Sequence, residues 1–351
     1  MGLFSFKKDN LFLGIDIGDS SLKMVELRKK GSKIQLSNYA FSENVSEINF
    51  NKIEDTDYLA RAISKVMKEA GFKARRATVS LPTFTVFSSV INITNADRKN
   101  LALSVSEEAK KVIPLPLDEM ILDWKIIPDK EGRMPTSGNM KVFLTGSPKK
   151  LVRKYIEVFK KAGVILASLE TETFSLVRSL IGNDKSTIML VEIGANSTDL
   201  SIVRESIPVL NRSLTVCAST ITKALADSLG MSYSQAEQFK LDLSFSLSSE
   251  NREEGFPQLV TKTLEPIVIE MQYLMDFYTS QKNDNLEKIV LSGGGSLFLN
   301  LAEYFSKRLD KKVIVGDPWN RVEYPREIKP VLDEVGPKLA VAIGLAMREI
   351  S

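Results

Sequence analysis

The order of apolar and polar positions divides the chain into alternating strands and helices. LFLGIDI and SLKMVEL flank a turn at Gly18–Ser20, and Gly31-Ser32 turns the chain into KIQLSNYAF, so about 11–42 predicts three strands in a meander. Apolar residues at helical spacing (Leu59, Ile63, Val66, Met67, Ala70) predict a helix over about 56–70 that Gly71 stops. ATVSLP then reads as a strand ended by Pro82. From there to about 147 the rhythm changes. TVFSSVINI is strand-like: Phe84, Val86 and Phe87 either pack the insert's own core, the reading favoured, or stand near the mouth of an edge to which an extended peptide can add. Asn95 stands where it would cap a helix over about 96–113, which Pro114 and Pro116 end. MILDWKII and MKVFLTGS are expected to pair as a long hairpin across the polar PDKEGRMPTSGN. Helices follow at about 149–162 and from Glu172 to Leu180, with the strand VILASLE between them.

The second half repeats the opening. IMLVEIG, DLSIVRE and PVLNRSL make another meander, followed by helices at about 219–229, 233–242 and 257–281 and a polar stretch at 244–255. KIVLSGGGSLF reads as strand, glycine turn and helix start, VIVGD as a strand, and PKLAVAIGLAMRE as an apolar closing helix. The expected architecture is α/β: two facing halves with a cleft between them as the natural binding place. In domain terms, 1–83 and the return segment 148–185 form the first half, and 84–147 an inserted subdomain. Residues 186–351 form the second half, with a helical subdomain at about 217–285.

The repetition extends to the chemistry. GIDIGDSSLK (14–23) and VEIGANSTDL (191–200) share the pattern acid-Ile-Gly-x-x-Ser, as Asp16-Ile17-Gly18-x-x-Ser21 and Glu192-Ile193-Gly194-x-x-Ser197. A tight hairpin with glycine lets backbone N–H groups converge on a phosphate without interference from a Cβ. Ser20, Ser21 and Ser197 add hydroxyl donors, and Lys23 adds a point charge. One acid from each hairpin, Asp16 and Glu192, can then hold a hydrated Mg²⁺ that bridges the phosphates. LSGGGSLF (291–298) puts Gly293, Gly294 and Gly295 between a buried strand and a helix start, where backbone can approach a flat base or a sugar. It is neither G-x-G-x-x-G nor a P-loop, since no GK[ST] follows.

Composition narrows the classes. The chain has 351 residues, 43% hydrophobic and 26% charged, enough for several cores in a soluble globular protein. The net charge of +3 is too small to point to a polyanion. Arg28-Lys29-Lys30, Arg75-Arg76 and Lys110-Lys111 carry no aromatic or motif signature, so no nucleic-acid partner is expected. There is no histidine, which removes histidine general bases, Ser-His-Asp triads and most zinc chemistry. Cys217, the one cysteine, cannot form an internal disulfide, as suits a reducing cytoplasm. No stretch reaches the ~18 apolar residues of a transmembrane helix. MGLFSFKKDN is charged too soon for a secretory signal, although Leu3, Phe4 and Phe6 before Lys7-Lys8 can touch a membrane surface or a partner.

The two hairpins and the glycine turn, in this order, resemble the nucleotide site of the actin, sugar kinase and DnaK-type chaperone superfamily. The resemblance implies a duplicated actin-like, ribonuclease H-like fold. It implies ATP or ADP with Mg²⁺ held by Gly18, Asp19, Ser20, Ser21 and Lys23 of the first motif, and by Gly194, Ala195, Asn196, Ser197 and Asp199 of the second. Gly293, Gly294, Gly295 and Leu297 belong to the third motif. Glu172, opening ETFSLVRSL, matches the connecting segment that often carries a catalytic Glu or Gln, with Asp16 as the other catalytic candidate. Glu237 and Lys240 in AEQFK match an E-x-x-K pattern that reaches ribose and adenine.

Over nearly its whole length the chain more narrowly resembles the PilM family of type IV pilus assembly proteins, through EEAKKVIPLPLDEMILDW, AGFKARRATVSLP, LADSLGMSYSQAEQFK and GPKLAVAIGLAMR. That implies a cytoplasmic scaffold, peripheral at the inner membrane, which grips the cytoplasmic N-terminal peptide of a PilN-like membrane protein in a groove beside the insert. Contacts with other platform or motor proteins and self-association are further implied. Two departures bear on catalysis. Asp19 stands where the family has a small residue near the γ-phosphate, and Glu192 replaces an aspartate, displacing its carboxylate by roughly 1 Å. Slow or absent hydrolysis is therefore expected. The alternatives are an FtsA-like division protein and a small-molecule kinase of the same superfamily. The first would carry a terminal amphipathic helix beyond AMREIS, and the second needs a carboxylate base, for which Asp97, Asp118 and Asp123 have no supporting motif.

Overall fold

The computed structural model describes residues 10–18, 21–42, 56–97, 99–128, 133–135, 137–246, 258–282, 285–298 and 300–350. Its first half opens with the meander: β1 (Leu11–Ile17), β2 (Leu22–Lys30) and β3 (Lys33–Ser42), each antiparallel to the next. Helix α1 (Thr56–Glu69) follows, and Gly71 at φ +72° ends it. Strand β4 (Arg76–Leu81) then returns parallel to β1.

The insert comprises β5 (Phe87–Asp97), α2 (Leu101–Val112), β6 (Met120–Ile126) and β7 (Ser137–Pro148), its sheet ordered β5-β7-β6. One face of that sheet covers α2 with a small core around Ile91, Val105 and Leu144. Helix α3 (Lys149–Ala162) leads back to β8 (Ile165–Thr171), which completes the first sheet in the order β3-β2-β1-β4-β8. The short α4 (Glu172–Leu176) then runs into a π turn at Val177–Ile181.

The second half repeats the plan. Strands β9 (Ile188–Ile193), β10 (Thr198–Arg204) and β11 (Ile207–Leu214) form the meander. Helices α5 (Ala218–Leu229), α6 (Tyr233–Ser246) and α7 (Gln258–Lys282) follow, then β12 (Lys288–Ser292), α8 (Leu301–Leu309), β13 (Lys312–Val315) and α9 (Lys329–Met347). The second sheet is ordered β11-β10-β9-β12-β13 and matches the first strand for strand, antiparallel pairs and parallel pairs alike.

The halves interlock through two helices. The apolar α9, from the second half, lies on the first sheet, where Ala342, Ala346 and Met347 join Val25 and Leu27. The α4–π segment, from the first half, packs with Leu190, Val203 and Val290 of the second sheet. Gly14 and Gly344 permit these close approaches. A Cβ on Gly14 would lie 2.0 Å from the Ala342 carbonyl oxygen, and one on Gly344 would lie 1.9 Å from that of Ser175.

Two expectations need correction. Asn95 lies within β5, not at a helix start: pairing of Ala96 with Gly138 and Asp97 with Ser137 draws the strand on, and α2 begins only at Leu101. The outer edge of β5 has no ladder partner, and beside it Ser88 accepts a side-chain hydrogen bond from Asn211 of β11. The other edge strand of the insert is β6, likewise paired on one side only among the described residues. The glycine turn leads into a 3₁₀ turn at Gly294–Leu297, while the α-helix, α8, starts at Leu301. Its buried face, Leu301, Phe305 and Leu309, recurs at every fourth position of LAEYFSKRL.

Candidate functional site

Both hairpins end their strands at the same cleft, with one backbone geometry. The Gly18 N–H donates to the Ser21 carbonyl at 3.0 Å, and the Gly194 N–H to that of Ser197 at 2.8 Å. In the first hairpin Asp16 stands opposite Lys23, and in the second Glu192 stands opposite Asp199. The duplication therefore places a carboxylate where its counterpart has an ammonium group. Like charges directly across a strand pair repel.

Asp16 is buried, and its oxygens are both engaged: Lys23 Nζ donates to Oδ2 at 2.9 Å and Ser80 Oγ to Oδ1 at 2.8 Å. Asp199 accepts from Ser197 Oγ at 3.2 Å and from Ser213 Oγ. Glu172, in the first turn of α4, accepts from the Thr83 N–H at 2.9 Å and from its hydroxyl at 3.2 Å. Glu192 lines the cleft with no hydrogen-bond or ion-pair partner among the described residues.

Burial pushes the Glu192 carboxyl up to about 8, and the charges of Asp16 and Asp199 push the same way against Lys23. Burial likewise lifts Glu172 well above the carboxylate range, reinforced by Glu192, Asp16 and Asp199. For Lys23 burial acts downward, but Asp16 and the other carboxylates outweigh it, and the ammonium is held above its ordinary value. Three acids, Asp16, Glu172 and Glu192, thus act on one lysine, itself tied to Asp16, and Asp199 adds its charge to Glu172 and Glu192.

These carboxylates are chemically compatible with a hard divalent cation, which Glu192 and Asp16 would hold. No group of three or more acidic or cysteine side chains among the described residues is arranged around a metal position.

The cavity measures about 520 Å³. It gathers Asp16, Gly18, Ser21, Lys23, Glu172, Glu192, Gly194, Ala195, Asn196, Ser197, Asp199, Glu237, Lys240, the three glycines Gly293–Gly295 and Leu297. Asp19 and Ser20 lie outside the described residues.

Glu237 and Lys240 form a triangle with Thr222. Lys240 Nζ donates to Glu237 Oε2 at 2.8 Å and to Thr222 Oγ1 at 2.9 Å, and Thr222 donates to Glu237 at 2.5 Å. Two of the three glycines are required by the protein's own packing. Cβ atoms on Gly293 and Gly295 would lie 2.5 Å from the Ile193 carbonyl oxygen and 2.3 Å from its side chain, respectively. Only Gly294 has room, 3.7 Å from Lys338.

Sequence reasoning missed Lys338, Tyr233 and Pro82, which also line the cavity. Lys338 sits in an apolar helix and lies 5.8 Å from the centre of the Phe41 ring. Nothing local in the sequence marks it as a cleft residue.

Two matched sheets, crossed by helices exchanged between halves and closing a cleft with paired hairpins, define an actin-like protein. The chain belongs to the family of the type IV pilus assembly protein PilM, whose family model matches residues 14–350. Among solved structures it is similar to the PilM–PilN type IV pilus biogenesis complex, with 24% identity, a TM-score of 0.83, and coverage of 97% of this chain and 98% of that one. It is also similar to the ethanolamine utilization protein EutJ from Carboxydothermus hydrogenoformans (14% identity, TM-score 0.56, coverage 96% and 89%). MreB 5 of Spiroplasma citri bound to AMPPNP matches at 10% identity and a TM-score of 0.56, with coverage of 98% and 97%. The same actin-like fold thus recurs at low identity. No helix among the described residues is long and apolar enough to cross a membrane.

Proposed function

We propose that this member of the pilus assembly family binds ATP or ADP with Mg²⁺ in the cleft, and hydrolyses it slowly or not at all. In this reading it docks the cytoplasmic N-terminal peptide of a PilN-like membrane protein at the cytoplasmic face of the inner membrane. The observation that carries the nucleotide part is the convergence of both hairpins and the glycine turn on one cavity bounded by a carboxylate cluster. That cluster is short of positive charge, which Mg²⁺ supplies, and it leaves Lys23 and the hairpin N–H groups for phosphate. MreB 5, which shares the fold, was solved bound to AMPPNP, which supports a nucleotide ligand here. Slow chemistry follows from the longer reach of Glu192.

The docking part draws support from the relative solved as a PilM–PilN complex and from β6. Its open edge and the exposed Ile121, with exposed Leu115 just before it, suit an extended apolar peptide adding as a strand. Calorimetric titration with MgATP and with a synthetic PilN-type N-terminal peptide tests both parts. Saturable binding of each is expected, with Ile121→Glu weakening the peptide alone. Failure of either ligand to bind refutes its part, and turnover at several per second refutes the slow chemistry.

A further inference from the structure

A polar chain leaves the cleft at Glu172. Its Oε2 accepts from Thr83 Oγ1 at 3.2 Å; Thr83 Oγ1 lies 3.5 Å from Thr173 Oγ1, which lies 3.4 Å from Ser201 Oγ. Ser201 donates to Asn211 Oδ1 at 2.6 Å, and Asn211 Nδ2 donates to Ser88 Oγ at 2.8 Å. Thr83 and Thr173 belong to the first half, Ser201 and Asn211 to β10 and β11 of the second, and Ser88 to β5 of the insert. The chain therefore crosses between halves twice. Its tightest links are the two made by the Asn211 side-chain amide, whose oxygen and nitrogen are both used.

The insert is covalently part of the first half, entering after Thr83 and leaving through Pro148 into α3. Phe143 also meets Phe174 of α4 edge to face, with centroids 5.2 Å apart and planes at 89°. Only Asn211 bonds the insert's edge strand to the second half by a side-chain hydrogen bond among the described residues. When the halves move relative to each other, either this bond breaks or the insert is carried along.

Resting on the nucleotide reading above, we propose that Asn211 is a latch through which closure of the cleft fixes the insert. A nucleotide and its cation span the two hairpins and draw the halves together. The Asn211–Ser88 bond then holds β5 against β11. With the halves apart the bond opens and β5 is freed. Asn211 is a positioning residue in this scheme, and the insert reads the cleft through it.

Hydrogen exchange of the full-length protein with and without MgATP tests the latch, with calorimetry on the same samples to establish saturation. In the wild type MgATP should slow exchange across Phe87–Asp97 by about tenfold, the worth of one well-made hydrogen bond. Asn211→Ala and, from the other side of the bond, Ser88→Ala should each still saturate with MgATP, with affinity weakened by up to about tenfold, and lose this nucleotide-dependent slowing. The double variant should lose no more than either single one. A merely structural loss would speed exchange equally in both states and leave the difference intact. Saturated protein whose β5 exchange is unchanged by MgATP overturns the latch alone, as does an undiminished response in both variants. Absence of MgATP binding overturns the nucleotide reading and the latch with it.

Discussion

Replacing Glu192 by Gln tests the carboxylate cluster without involving any ligand. Glu192 stands on β9 opposite Asp199, and burial with the charges of Asp16 and Asp199 raises its ionisation from 4.5 to about 8. The unfolded chain releases that proton in the ordinary carboxylate range, whereas the folded protein keeps it until about pH 8. The stability contributed by the retained proton is therefore complete below the ordinary range and is lost as pH rises through about 8. Displacing a carboxyl's ionisation by one pH unit is worth about 1.4 kcal/mol, so the whole interval bounds the loss at roughly 5 kcal/mol. Water reaching the side chain from the cleft, and the charges shared with Glu172, reduce this to about 2–3 kcal/mol. Gln keeps the shape and cannot ionise. Its removal of a charge near Glu172 also eases that residue, whose rise is due first to burial and next to Glu192. Urea unfolding without divalent cations, at fixed ionic strength from pH 5.5 to 9, should show wild-type stability falling toward alkaline pH. The Glu192→Gln curve should be flatter, and the variant about 2–3 kcal/mol more stable than the wild type near pH 9. Parallel curves, or wild-type stability rising through pH 8, would falsify the assignment of a repulsive cluster.

Mg²⁺ should do for the wild type what Gln does for the variant: its binding at pH 7.5, measured calorimetrically in buffers of different ionisation enthalpy, should release protons, and fewer from Glu192→Gln. Lys23→Met leaves buried Asp16 with Ser80 as its remaining partner, so denaturant unfolding should show a loss of about 3–5 kcal/mol, partly recovered with Mg²⁺. The same variant should lose MgATP binding in calorimetry. Gly344→Ala forces a methyl group into the Ser175 backbone where α4 and α9 cross, and should lower stability by about 1–3 kcal/mol or more in thermal melts. Gly294→Ala, whose Cβ would meet only the Lys338 side chain, should melt with the wild type.

Much of the fold was legible because its information is local. Apolar runs in β1, β2, β9 and β10 and helical spacing in α1 lie inside short windows, and each copy of acid-Ile-Gly-x-x-Ser spans six residues. The glycine turn was legible as a site but misread in its cause. Gly293 and Gly295 answer to Ile193, a residue about a hundred positions earlier, and their smallness serves the sheet before it serves any ligand. Asn95 looked like a helix cap because capping chemistry is local, whereas the strand pairing that claims its neighbours comes from 137–138, across the insert.

The charge balance of the cleft depended on a step between these two levels. Lys23 and Asp199 were both in view as motif residues, yet their equivalence appears only once the hairpin register sets each opposite its acid. That register turns two similar motifs into unlike partners, one hairpin neutralised by its own lysine and the other left with two carboxylates. In the function proposed above, a cation would offset that asymmetry between the halves, and closure of the cleft would then depend on what fills it.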